Sequence, residues 1–226
     1  MEEKNISEEE SLQIITQMIA KAKHNFHENG TSAILWGSVV AVCGLVSFAE
    51  MNWDISIGFD IWLLTFGAIL PQVFLSIREQ RQRRVLSHTE AAMNAIWIVY
   101  GISIFALVFY FNTVPHTTDR LLAEEGRHFL EVKPDGSTVP FHLFVPSPGS
   151  LLLLLYAIPT MATGIAHKFR PMLVAAVLCY AFFIISCFVS TSYDMLLNGL
   201  AGIFNWLIPG LILRRRYNLQ KKAGHV

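Results

Sequence analysis

Six apolar stretches, most of them near bilayer length, constrain this chain more than any other feature. The hydrocarbon core of a bilayer is roughly 30 Å thick and takes about 20 helical residues to cross. The stretches cover residues 32–49, 57–77, 91–114, 150–167, 171–190 and 195–213. Positive charge sorts the segments between them. Of 17 Lys and Arg residues, only Arg120, Arg127 and Lys133 lie after the first, third or fifth stretch. The rest lie in the N-terminal segment, after the second and fourth stretches, and in the C-terminal tail. Cytoplasmic loops are rich in Lys and Arg. The pattern therefore predicts an all-α, polytopic membrane bundle of six spans with both ends in the cytoplasm.

Composition agrees, with 53% hydrophobic residues and a mean hydropathy of +0.45. The net charge of zero gives no global basic field, and no nucleic-acid partner is expected. The partner that composition does imply is the lipid bilayer. The first residues are acidic and the first apolar stretch starts near Thr31, so that stretch is expected to act as an uncleaved anchor. Cys43, Cys179 and Cys187 fall inside the stretches, where they read as small packing residues without disulfide or zinc spacing.

Three organisational units follow. Residues 1–30 read as a cytoplasmic amphipathic helix. Ser7 and Glu10 form its capping box, and Leu12, Ile15, Met18, Ile19, Ala22 and Phe26 its apolar face. It either lies in the membrane interface or docks a protein partner at the cytoplasmic face. Residues 31–213 form the six-helix domain and 214–226 a basic cytoplasmic tail. The long outer segment, 115–149, is expected to carry a short helix from Thr118 to Glu125. A small β-hairpin should follow, turning at Lys133-Pro134-Asp135-Gly136 and packed over the outer mouth. Pro presets φ there, and Gly accepts positive φ.

Chemistry-bearing residues are few. No ionisable side chain sits near the middle of a span, the place where intramembrane function usually announces itself. His24 and His27 precede Glu28 in the wrong order for a metalloprotease helix. His116, His128 and His142 share the outer segment and could meet around a metal, but three scattered His in a loop are more often solvent-facing. No catalytic residue, metal or cofactor is predicted. Glu50, Asp60 and Asp194 end three spans on the outer side and read either as an acidic mouth or as helix-end residues. A polar face recurs in the spans running inward. Asn198, Gly202, Asn205 and Pro209 lie along span six, Gln72 in span two, and Thr160 and Thr163 in span four. These residues either line a narrow hydrated path or join helices by hydrogen bonds.

Met18-Ile-Ala-Lys-Ala-Lys23, Leu35-Trp36-Gly37, Tyr156-Ala-Ile-Pro-Thr160, His167-Lys-Phe-Arg-Pro171 and Ile208-Pro-Gly210 carry a family likeness. Through these segments the chain resembles a family of small, uncharacterised bacterial integral membrane proteins. The resemblance implies a six-span inner-membrane protein and assigns no activity. The leading expectation is a non-enzymatic sensor, scaffold or partner-binding component, with homo-oligomerisation open. The alternative is a small transporter or channel with a polar path between spans two, four and six. A cavity from Asn198 to Pro209 would favour transport, and a dry, sealed bundle the scaffold.

Overall fold

The computed structural model describes residues 29–53, 55–82, 88–141 and 147–222. The expected N-terminal amphipathic helix lies outside the described residues, as do Arg83, Arg84 and His142. The described chain is mostly helical. Helix α1 is Thr31–Trp53, α2 Leu63–Gln82 and α3 His88–Glu124. Strands β1, Leu130–Val132, and β2, Thr138–Pro140, follow. Then come α4, Pro148–Ala166, and α5, Arg170–Ser186. The last element is a rod in three parts: α6, Thr191–Ala201, a π-helical turn, Gly202–Leu207, and α7, Ile208–Lys222. Among the described residues, four helices are long and apolar enough to cross a membrane, namely α1, α3, α4 and the rod.

Backbone contact between α1 and the rod builds the centre. Gly37 and Gly44 lie seven residues apart on one face of α1, and Gly30 stands seven before Gly37 at the entrance to the helix, at φ 67°. A Cβ added to them would strike the backbones of Gly210, Leu207 and Gly199 respectively. The rod answers with glycines of its own. A Cβ on Gly202 would lie 2.7 Å from the Ala41 nitrogen, and one on Gly199 2.9 Å from that of Leu45. Small residues allow helix backbones this close, and dispersion contacts over the seam hold them without requiring a hydrophobic drive in lipid. The order of the contacts makes the two helices antiparallel.

The other helices lean on this pair. Helix α2 packs on α1, α4 on α5 and the rod, and α3 on α4. Leu153, Tyr156, Ala157, Cys179, Ala201 and Trp206 form the buried core among α4, α5 and the rod. Gly164 fits the α4–α5 hairpin, where its Cβ would come 3.0 Å from the Leu173 nitrogen.

Several boundaries differ from those read off the sequence. The second helix begins at Leu63, because Gly58 turns the chain at φ 79° and the Asp60 carboxylate caps the Trp62 N–H at 2.9 Å. The third continues through Pro115 to Glu124 as a single helix, which absorbs the separate helix expected from Thr118. The fifth stops at Ser186, leaving Cys187 exposed just beyond it. The expected basic tail is helical through Lys222. The hairpin forms, pairing Leu130 with Pro140 and Val132 with Thr138. Its strand residues are almost all exposed, so it stands free of the mouth it was expected to cover.

Candidate functional site

The rod turns its two buried amides toward α4, and proline explains the geometry on both sides. Pro209 has no N–H, and its ring crowds the carbonyl four residues back, that of Asn205. The π turn just before Pro209 widens the helix by one residue there, the form in which such insertions usually occur. Across from it, Pro159 lies inside α4. Around that proline the carbonyls of Tyr156 and Pro159 take donors from side chains.

Asn205 supplies one of those donors. Its Nδ2 donates to the Tyr156 carbonyl at 3.1 Å and to Thr160 Oγ1 at 3.0 Å. Trp206 Nε1 donates to the same Oγ1 at 3.0 Å, while that hydroxyl donates to the Tyr156 carbonyl at 3.0 Å. One proton given and two bonds accepted exhaust a hydroxyl. Thr163 repeats the device one turn on, donating to the Pro159 carbonyl at 2.7 Å and accepting from Trp97 Nε1 at 3.2 Å. Trp97, Tyr100, Tyr156 and Trp206 stack edge-on or tilted around this knot, the closest pair of rings 4.9 Å apart. Thr160, Thr163, Asn205 and Trp206 are all buried.

The second amide sits nearer the start of the rod. Asn198 Nδ2 donates to the Gly149 carbonyl at 3.1 Å and to the Asp194 carbonyl at 2.9 Å. Gly149 is required at this crossing, since a Cβ on it would lie 2.7 Å from that nitrogen. Asp194 is wholly buried in the first turn of α6, with the Ser147 hydroxyl beside its carboxyl. Among the described residues, both Asp194 carboxyl oxygens and the Oδ1 atoms of Asn198 and Asn205 make no hydrogen bond. The network fixes the Asn198 amide, because a flip would set its oxygen against two carbonyl oxygens, and it favours the Asn205 assignment, where a flip would set oxygen against the Tyr156 carbonyl.

The structure therefore joins Asn205 to Thr160, sets Thr163 one turn further along α4, leaves Asn198 in a separate contact with Gly149, and separates the rest. Gly202 and Pro209 are buried, but Gly202 faces α1, where its Cβ would come 3.0 Å from the Gly37 carbonyl oxygen. Gln72 bonds within the α1–α2 pair. It accepts from Trp36 Nε1 at 3.2 Å and donates to Ser32 and Ser76, each at 3.2 Å. The three-helix path through spans two, four and six loses its span-two member. The acidic mouth also divides. Glu50 and Asp60 line one shallow depression of about 470 Å³ with Ser47, Met51, Trp62 and Met195, and Asp194 faces the opposite way, toward α4.

The sequence reading missed the glycine seam and the burial of Asp194. The seven-residue recurrence of Gly30, Gly37 and Gly44 was the available signal for the first. An acid at a helix start gives none for the second.

These features define a class: a helical bundle of membrane type, centred on a glycine-packed antiparallel pair and carrying buried amides. No protein-family model, curated protein or solved structure matches this chain.

Proposed function

We propose that this chain is a six-span protein of the bacterial inner membrane that works as a sensor, scaffold or partner-binding component. The reading of α2 and α5 as additional spans rests on direction. Helix α4 starts beside Asp194, and its end leads to Phe169, over which Arg216 of α7 lies at 5.2 Å. The end of α4 and the end of the rod thus share one pole, so α5 must run back between them. Its 17 residues reach about 25 Å at 1.5 Å per residue, short of a full core but close to it. Helix α2 likewise begins at Ser47, where Trp62 Nε1 donates at 3.1 Å, and returns to Ser32. Its Arg78 and Arg81 then join Lys168, Arg170 and Arg214 to Arg216 at one pole, which supports a cytoplasmic assignment.

The observation that carries the functional reading is the knot at Thr160. Every donor of Asn205, Trp206 and Thr160 is satisfied by protein, inside a ring of aromatic side chains. A translocation path needs polar groups that water or substrate can reach, and here they join helices instead. The interaction surfaces are then the basic pole and the amphipathic segment before residue 29. Transport keeps one observation in its favour, the unpartnered oxygens of Asn198 and Asn205 on the same side of the rod.

Accessibility separates the two. In a variant with Cys43, Cys179 and Cys187 replaced by alanine, Asn205→Cys should stay unreactive toward small polar thiol reagents until the protein is unfolded. Rapid modification of position 205 in the folded protein would replace the scaffold reading with the transport one.

A further inference from the structure

Asp194 and Asn198 stand one helical turn apart, and each is left with acceptors alone. Asn198 has given both amide protons to carbonyls, so its Oδ1 can only accept. Among the described residues no bond of hydrogen-bond geometry is made to Oδ1 or Oδ2 of Asp194, with the Ser147 hydroxyl as the one donor beside them, although the side chain has no exposure at all. A buried carboxylate without counter-charge is disfavoured by desolvation, and folded proteins protonate such groups, pair them or coordinate cations with them. The two carboxyl oxygens, the Ser147 hydroxyl beside them and, one turn further on, the unpartnered Asn198 Oδ1 offer only oxygen at this end of the α4–α6 contact. Hard cations select such sets. Charge fixes the valence, because one positive charge neutralises Asp194 while a divalent ion would leave a net charge in the interior. The required smallness of residue 149 keeps the α4 backbone close against this turn.

We propose that Asp194 Oδ1 and Oδ2 and Asn198 Oδ1 bind one small monovalent metal cation at the outer end of the α4–α6 contact. This site is separate from the depression that Glu50 and Asp60 line, and it needs no path through the bundle. Its cation ties the start of the rod to the start of α4 through the Asn198 bond to Gly149.

The test is thermal unfolding of the purified full-length protein in NaCl, KCl or choline chloride at equal ionic strength, with sodium-22 binding measured alongside. The melting temperature should rise saturably with sodium or potassium and not with choline. Whichever ion gives the larger rise identifies the preferred size. Asp194→Asn should abolish the dependence and weaken binding at least about tenfold, while Glu50→Gln should leave both unchanged. If Asp194→Asn does not fold, the wild-type protein still decides by whether it binds one radioactive ion per chain, or one displaceable by potassium. Equal melting in all three salts without bound ion would overturn the proposal. So would a dependence that survives Asp194→Asn, one that disappears in Glu50→Gln, or stability that follows pH alone.

Discussion

Gly44 and Gly67 are both glycines of apolar helices, and a single methyl group separates their roles. At Gly44 a Cβ meets the Gly199 backbone and lies 2.6 Å from the Met195 carbonyl oxygen, whereas at Gly67 nothing lies within 4 Å. The clashing atoms at Gly44 belong to backbone, so the whole rod must move to admit the methyl. Gly44→Ala should therefore cost about 1–3 kcal/mol, the usual range for overpacking a fitted contact. Gly67→Ala should be neutral or stabilising by up to about 1 kcal/mol, since alanine is the better helix former. Unfolding of both variants in mixed detergent micelles measures the difference. Equal effects at the two positions would mean that the seam is looser than its geometry. The same scale explains what the sequence could disclose. Asn198 and Asn205 were legible because an amide in an apolar span must find a partner, whichever helix provides it. Asp194 was not, because its burial depends on the start of α4 packing against it, with Gly149 beside its Cβ, which no local pattern announces.

At the scale of elements, helix identity followed from apolar runs, but breaks inside helices did not. The turn at Gly202–Leu207 adds one residue to a helix without altering its composition. A face drawn at 3.6 residues per turn through Asn198, Gly202, Asn205 and Pro209 therefore fails to anticipate that Gly202 meets α1. The β-hairpin was legible for the opposite reason, since its turn chemistry is entirely local. Gly136 adopts φ 80°, its N–H bonds the Lys133 carbonyl at 2.9 Å, and Asp135 Oδ1 accepts from the Ser137 hydroxyl at 2.7 Å and N–H at 2.9 Å. Those two bonds, the hydroxyl first, hold the Asp135 carboxyl below its ordinary pKa. A depressed folded pKa contributes order that is complete above the unfolded value and lost as pH falls through the folded one. The Ser137 amide proton should thus keep its shifted NMR resonance down through the usual carboxylate range and lose it only in stronger acid. An Asp135→Asn variant should show no such transition. A wild-type midpoint at or above the ordinary carboxylate value would contradict the bonded turn.

The whole molecule sorts its charges by pole, and that arrangement discriminates between six crossings and four. Helix α1 starts beside Gly210 and ends near Met195, so its two ends lie at opposite poles. Helix α3 enters with Trp97 bonded to Thr163 near the end of α4, then passes Tyr100 against Tyr156 toward the pole where α4 starts. From there it leads into the exposed hairpin. If all six helices cross, Arg81 and Asn218 lie on one side and Lys133 on the other. If only the four long helices cross, α2 stays on the far side after α1, and Arg81 exchanges sides with Lys133 while the C-terminal end stays put. Single cysteines at Arg81, Lys133 and Asn218, in the cysteine-free variant, distinguish these outcomes with an impermeant maleimide on intact cells whose outer barrier is permeabilised. The charge bias of the loops and the shared pole of Arg216 and Phe169 both favour six crossings. The expected result is labelling at Lys133→Cys before lysis and at Arg81→Cys and Asn218→Cys only after it. Labelling of Arg81→Cys on intact cells, with Lys133→Cys protected, would reduce the bundle to four spans and leave α2 and α5 as helices that do not cross.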